Sequence, residues 1–251
     1  MLEILVVVAI IALLIAVLMP TLAAARRQSK QLLCQTNLAT IAKGWHAYLG
    51  DSKGKFLKSV KATDNVQANF GGKQGAIAAY QGPRPLNRYV GLPPVVWSGA
   101  ELFRCPFDVG FGRELPTSYD YRGNSYHMNH ILVGPPGPPG LQVPPGDPCG
   151  DVLKRVFERA ADLSLSQIKG ESRLLLVGDL GWYNAWERSY ESADQVNWHT
   201  PAGFHNIAFM DGHVRLVKIR KGIHVDDQYT LIPFADLIPP VCEYQTEAKL
   251  P

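Results

Sequence analysis

The sequence predicts an α+β chain: a long N-terminal α-helix packed on an antiparallel β-sheet, with long loops. Three observations carry this. Ile4 to Met19 are sixteen consecutive apolar residues, and a helical stripe of apolar positions continues beyond them to about Leu49. Two runs of β-formers flank the Asp-Gly at 211–212. The 251 residues also include 23 Gly and 19 Pro, the punctuation of turns and loops.

The helix comes first. Between Glu3 and Arg26 no residue is charged, a stretch of 22 residues. At about 1.5 Å per residue it is roughly 33 Å long, the thickness of a bilayer's hydrocarbon core. The wholly apolar part is only about 24 Å, a length that would also suit a signal peptide. A cleavable signal needs a basic n-region, which does not precede this segment. Ala23-Ala24-Ala25 offers a cleavage site, but Pro20 and the helical pattern that follows argue against cleavage. In that pattern Cys34, Leu38, Ile41, Trp45 and Tyr48 recur at spacings of 4, 3, 4 and 3, one helical face. Arg26, Arg27, Lys30, Gln31 and Lys43 fall mostly elsewhere, and Gly50 offers a stop. One helix of about 70 Å is expected, kinked at Pro20, which removes a backbone hydrogen bond. Residues 1–50 form this unit, with 4–25 in the membrane, and 51–251 form the head.

The totals exclude several functions. A net charge of +3 with no Lys/Arg-rich run gives no footprint for nucleic acid. No GxSxG, HExxH or phosphate-binding glycine loop is present, so neither an enzyme nor a cofactor is expected. Cys34, Cys105, Cys149 and Cys242 form no CxxC pair, which argues against structural zinc. Outside the cytoplasm they allow two disulfides in any of three connectivities.

"LEILVVVAIIALLIAVLMPTL" resembles the N-terminus of type IV pilins and type II secretion pseudopilins. Those mature chains open with a Phe, a short apolar lead to a Glu, and an apolar helix broken by a Pro. Glu3 and Pro20 stand where that pattern wants them. In the family a basic leader ending in Gly precedes the Phe, and a prepilin peptidase removes it and methylates the new N-terminus. By that spacing Met1 falls about two residues inside the mature start, as a start site placed too late would give; a degenerate, unprocessed protein is the alternative. As written, Arg26, Arg27 and Lys30 would hold the head inside by the positive-inside rule, whereas a leader would reverse this. For Glu3 the resemblance implies a partner, the N-terminal amine of a neighbouring subunit. From position alone Glu3 would equally sit among the lipid headgroups.

The resemblance extends into the head. "CQTNLATIAKGWHAYLGDSKGKF", the Cys-Pro of "LFRCPFD", an aromatic strand like "TSYDYRGNSYHMN" and a C-terminal H…DG signature are all similar to a large group of pilin-like proteins. That group places nine residues between the His and the Asp-Gly. Here eleven separate His199 from Asp211, and five separate His205 from it. His199, His205, Asp211 and His213 could be read as a metal cluster. The stronger reading is a hairpin at about 199–219, with Asp211-Gly212 as a two-residue type I′ turn and His213 opening the return strand. Cys34 with Cys105 is the preferred disulfide because it would tie helix to sheet, leaving Cys149 with Cys242.

Other segments offer less. Asp179 of "VGDLGW" follows an expected strand at 173–177 and is a candidate site carboxylate. Asp226 and Asp227 lie in a late loop, where major pseudopilins bind calcium. Two carboxylates plus carbonyls fall short of the six or more oxygens calcium takes, so no metal is expected. Short helices are expected at 84–91 and 151–163, and "GPPGPPG" begins a stiff polyproline-type loop at 133–148.

The resemblance thus implies a single-pass inner-membrane protein with an extracytoplasmic head, a structural subunit of a surface or periplasmic filament. Its partners would be the lipid bilayer, other pilin-like subunits and the prepilin peptidase. The competing expectation is a membrane-tethered extracytoplasmic binding protein that never polymerises and uses the loops around 60–85 and 133–148.

Overall fold

The computed structural model describes residues 2–58, 65–110, 117–133, 148–186, 198–221 and 223–237. The expected "GPPGPPG" loop lies outside them, as do Cys242 and the side chain of Cys149. Helix α1 runs unbroken from Leu2 to Asp51 and continues through Pro20. Among the described residues it is the one helix long and apolar enough to cross a membrane.

Its two halves differ as the sequence differs. At Ile4 and from Val6 to Met19 the large apolar side chains are 47–68% exposed. The first bonds to the head come a turn or two later, where Arg27 donates to Thr200 Oγ1 and the Lys30 ammonium lies 5.9 Å over the Phe107 ring. From there the 3–4 stripe turns inward. Cys34, Leu38, Ile41, Ala42 and Trp45 are fully buried, and Leu49 nearly so. Trp45 is the centre of an aromatic cluster, with ring centroids 5.4, 6.4 and 5.7 Å from Tyr48, Phe56 and Phe70.

The stripe packs on a four-stranded antiparallel sheet whose spatial order follows the chain: β1 (Tyr126–Met128), β2 (Leu175–Asp179), β3 (Phe204–Phe209) and β4 (Val214–Lys218). Every residue of β2 is buried, as suits an apolar run inside a sheet covered on both faces. Gly178 permits a close approach there: a Cβ would lie 2.5 Å from Ile207 Cδ1 and 2.6 Å from Trp182 Cδ1. Trp182 belongs to the helix that follows β2, Gly181–Trp186, and its Nε1 donates to His127 O at 2.9 Å.

Buried polar side chains organise the long connections. Asp108, three residues after Cys105, accepts from the backbone N–H groups of Gly110, Ser118 and Tyr119 (2.9, 2.8 and 2.8 Å) and from Ser125 Oγ. The guanidinium of Arg84 is buried and donates to Asn69 Oδ1, Tyr80 O and Arg122 O at 2.6, 2.6 and 2.9 Å.

Three local expectations need correction. "TSYDYRGNSYHMN" is not one strand, because Ser118–Arg122 is helical and only Tyr126–Met128 pairs. Thr117 caps that helix by accepting from Asp120 N, and Asp108 takes the next free N–H groups, so helix wins. At 84–91 the helix is a 3-10 turn, Asn87–Val90, ended by Gly91 at φ 78°. The helix expected at 151–163 begins and ends earlier, Pro148–Ala160.

Candidate functional site

The exposed half of α1 presents Glu3 in its first turn and Pro20 in its interior, both side chains open to solvent. Among the described residues, none of the head shields the apolar stretch between them. An isolated monomer in water would therefore carry an apolar rod far larger than soluble proteins leave uncovered.

Where the helix meets the head, its polar residues bond to the sheet through one buried cluster. The β2–β3 ladder ends at Gly178 opposite Ile207, which sets Asp179 beside Asn206. Asp179 is fully buried. Its Oδ1 accepts from His205 Nδ1 at 2.8 Å, and its Oδ2 accepts from Asn206 N at 2.7 Å. His199 Nε2 lies 3.2 Å from Oδ2. The Asn206 side chain reaches the helix, where its Oδ1 accepts from Gln31 Nε2 and from Gln35 Nε2, the latter at 3.2 Å. Gln31 Oε1 in turn lies 3.0 Å from His199 Nδ1.

Two sulfurs complete the cluster. Cys34 Sγ of α1 and Cys105 Sγ of the Cys-Pro segment are 3.4 Å apart, both thiols free and both buried. His199 Nε2 is 4.0 Å from the first and 3.7 Å from the second. Tyr126 donates its hydroxyl to Cys34 Sγ at 3.7 Å, and the Phe107 ring meets His199 edge-on with centroids 4.8 Å apart. Cys34, Cys105 and His199 bring their donor atoms within 4.8 Å of one another, a group that can hold a metal ion.

Burial and charge act against each other throughout the cluster. Burial alone would raise the Asp179 carboxyl, but the charges and hydrogen bonds of His205 and His199 outweigh it and hold the carboxyl well below the usual range. Burial lowers His199, yet Asp179's charge and hydrogen bond lift it to about 10. Cys34 is pushed up by burial and drawn down further by hydrogen bonds with Cys105 and His199. Cys105 is raised, by burial first and then by Cys34. Of the two thiols, Cys34 is the one whose ionised form its neighbours favour.

The remaining sequence candidates fall elsewhere. The H…DG signature divides: His199 and His205 enter the cluster, while Asp211, Gly212 and His213 form the β3–β4 turn. That turn is not type I′. Gly212 has φ 90°, but Asp211 is not among the residues with positive φ. Phe209 N donates to His213 O and Gly212 N to Phe209 O, both at 2.9 Å, closing a three-residue loop with glycine at its left-handed position. His213 precedes β4, which starts at Val214. Its Nδ1 lies 2.6 Å from Asp211 Oδ1, with both side chains more than a third exposed. Asp226 Oδ1 is occupied by the N–H groups of Gln228 and Tyr229 at 2.7 and 2.8 Å, while Asp227 is exposed.

Sequence reading singled out Asp179 and both histidines separately. It missed that the carboxylate joins them, and it missed Gln31 and Asn206, which carry no motif. Comparison with protein-family models, curated proteins and solved structures found no match to this chain.

Proposed function

We propose that this protein is a membrane-anchored, type IV pilin-like structural subunit of a type IV pilus or type II secretion pseudopilus, readied by a prepilin peptidase. One observation carries the reading: a single helix is solvent-bare and apolar in its first half and is the core of a folded head in its second. The bare half needs an apolar cover. Lipid supplies one in a bilayer of matching thickness, and the same faces of neighbouring copies supply another. A subunit that exchanges the first for the second leaves the membrane as a stave of a filament. In this scheme the head stays outside the cytoplasm, and the chemistry is done to the chain rather than by it.

Glu3 gives the scheme its register. A carboxylate at the edge of hydrocarbon is costly unless paired, and a neighbour's N-terminal amine would pair it. The test replaces Glu3 with Ala and follows membrane insertion and filament incorporation in the same cells. Insertion should persist while incorporation falls. Unchanged incorporation would remove Glu3 from assembly, and the absence of any filament containing the unmodified chain would support a solitary tethered binding protein.

A further inference from the structure

We propose that Cys34, Cys105 and His199 bind a zinc-type divalent ion that clamps the anchor helix to the head. The site joins the head-packed half of α1 to the head and uses nothing of the bare apolar half, so it stands or falls independently of filament assembly.

The geometry points to a metal before any other chemistry. Tetrahedral coordination with metal–sulfur bonds of about 2.3 Å and metal–nitrogen bonds of about 2.0–2.1 Å places sulfurs about 3.8 Å apart and sulfur and nitrogen about 3.6 Å apart. The triangle here has edges of 3.4, 3.7 and 4.0 Å. A disulfide needs a sulfur separation of about 2.05 Å, and it gives no reason for an imidazole nitrogen to face both sulfurs. A cysteine nucleophile with a His-Asp base needs sulfur and carboxylate on different ring nitrogens. Here both sulfurs and Asp179 approach Nε2, while Nδ1 faces Gln31.

The surrounding hydrogen bonds prepare the ligands. Gln31 Nε2 donates to Asn206, which turns Gln31 Oε1 toward His199 Nδ1 at 3.0 Å. An Nδ1–H donated to that oxygen leaves the Nε2 lone pair for the ion, the outer-shell arrangement usual for metal-bound histidine. The Tyr126 hydroxyl donates to the Cys34 sulfur. On binding, both cysteines ligate as thiolates and His199 gives up the Nε2 proton it directs at Asp179, so the thiol and imidazolium protons pass to solvent and two thiolates balance the charge of a divalent ion. Asp179 keeps its hydrogen bonds from His205 and Asn206. Three protein ligands leave one tetrahedral position for a solvent-derived ligand. Two sulfurs and an imidazole favour zinc over magnesium or calcium, which prefer oxygen. Because the ligands come from α1, the Cys-Pro segment and the approach to β3, one ion would cross-link segments far apart in the chain.

The experiment titrates Co²⁺ into the full-length, metal-free, thiol-reduced protein in mild detergent. About one equivalent should produce a thiolate-to-cobalt charge-transfer band and tetrahedral ligand-field bands, and Zn²⁺ should abolish both. Cys34→Ser, Cys105→Ser and His199→Gln should each lose or shift the bands, whereas Cys149→Ser and Cys242→Ser should leave them unchanged. Gln31→Ala should keep the bands but weaken affinity about 10–100-fold, as loss of an outer-shell hydrogen bond does. X-ray absorption on the zinc-loaded unmodified chain needs no variant to fold, and should find two sulfurs in the first shell. A shell of nitrogen and oxygen only, no thiolate band at saturating Co²⁺, or a Cys34–Cys105 disulfide in freshly isolated protein would overturn the proposal.

Discussion

Asp179 accepts a hydrogen bond from His205 Nδ1 at 2.8 Å, with both side chains fully buried. That contact fixes the last residue of β2 against the second residue of β3, and Asn206 and His199 converge on the same carboxylate. A buried carboxylate facing three donors cannot be replaced by an amide without turning an N–H toward another N–H. Asp179→Asn should therefore cost about 3–5 kcal/mol, read by urea denaturation of the metal-free protein in detergent. His213→Ala, which removes the part-exposed partner of Asp211 and a ring stacked on Phe209 with centroids 4.4 Å apart, should cost less, about 1 kcal/mol. Equal losses would mean that the cluster is not what holds helix to sheet.

The turn of the same hairpin makes a second test. Gly212 has φ 90°, a conformation that side chains resist, so Gly212→Ala should destabilise by about 1–2 kcal/mol. Gly50 lies inside α1, and a Cβ there would meet nothing within 4 Å. Gly50→Ala should thus gain about 0.5 kcal/mol from helix propensity alone. Opposite signs at the part-buried Gly212 and the exposed Gly50, measured by thermal unfolding, would show that backbone conformation rather than lost flexibility decides each.

What was legible in the sequence followed its periodicity. The anchor half of α1 announces itself by unbroken apolarity, and the head half by the stripe from Cys34 to Tyr48, because helical spacing alone sets which side chains share a face. The β3–β4 hairpin was visible for the matching reason, two β-forming runs around a glycine. Its turn type was not, since whether Asp211 joins Gly212 at positive φ depends on which backbone groups close the loop. The helix Ser118–Arg122 was hidden because part of its capping comes from Asp108, ten residues upstream of Ser118. The cluster was the least legible part. Gln31 and His199 are 168 positions apart, and no local pattern records that they meet.

Because α1 serves two environments, substitutions along it should separate cleanly. Leu38 is fully buried against the sheet, so Leu38→Ala should cost the head about 2–5 kcal/mol in urea denaturation. Ile11 is 50% exposed and lies in a stretch that the described residues of the head leave uncovered, so Ile11→Ala should leave that value unchanged. Ile11→Arg should instead reduce membrane insertion by about 3 kcal/mol, read as a shift from the membrane to the soluble fraction. An effect of Ile11→Ala on head unfolding would place the first half of the helix against its own globule and remove the basis for an anchor.

Lys58 offers a test by pH that lies away from both the anchor and the sulfur cluster. Its ammonium donates to Leu132 O at 2.7 Å. Burial is the main cause that lowers its pKa to about 8, against an ordinary 10.5; Asp162 opposes the shift and Lys55 adds to it. Below pH 8 the lysine is charged in both folded and unfolded chains, and the folded state bears the whole cost of a half-buried charge. Between 8 and 10.5 the unfolded chain holds the proton more tightly, so this group's contribution to stability rises with pH, and above 10.5 it levels off. Other groups titrate over the same range, so the informative quantity is the difference in unfolding free energy between the unmodified chain and Lys58→Met. That difference should shift toward the unmodified chain as pH climbs from 8 to 10.5 and stay flat between 6 and about 7, where Lys58 does not titrate in either state. A difference that is constant throughout would show that Lys58 keeps its ordinary hydration in the folded protein and that its bond to Leu132 contributes nothing that depends on charge.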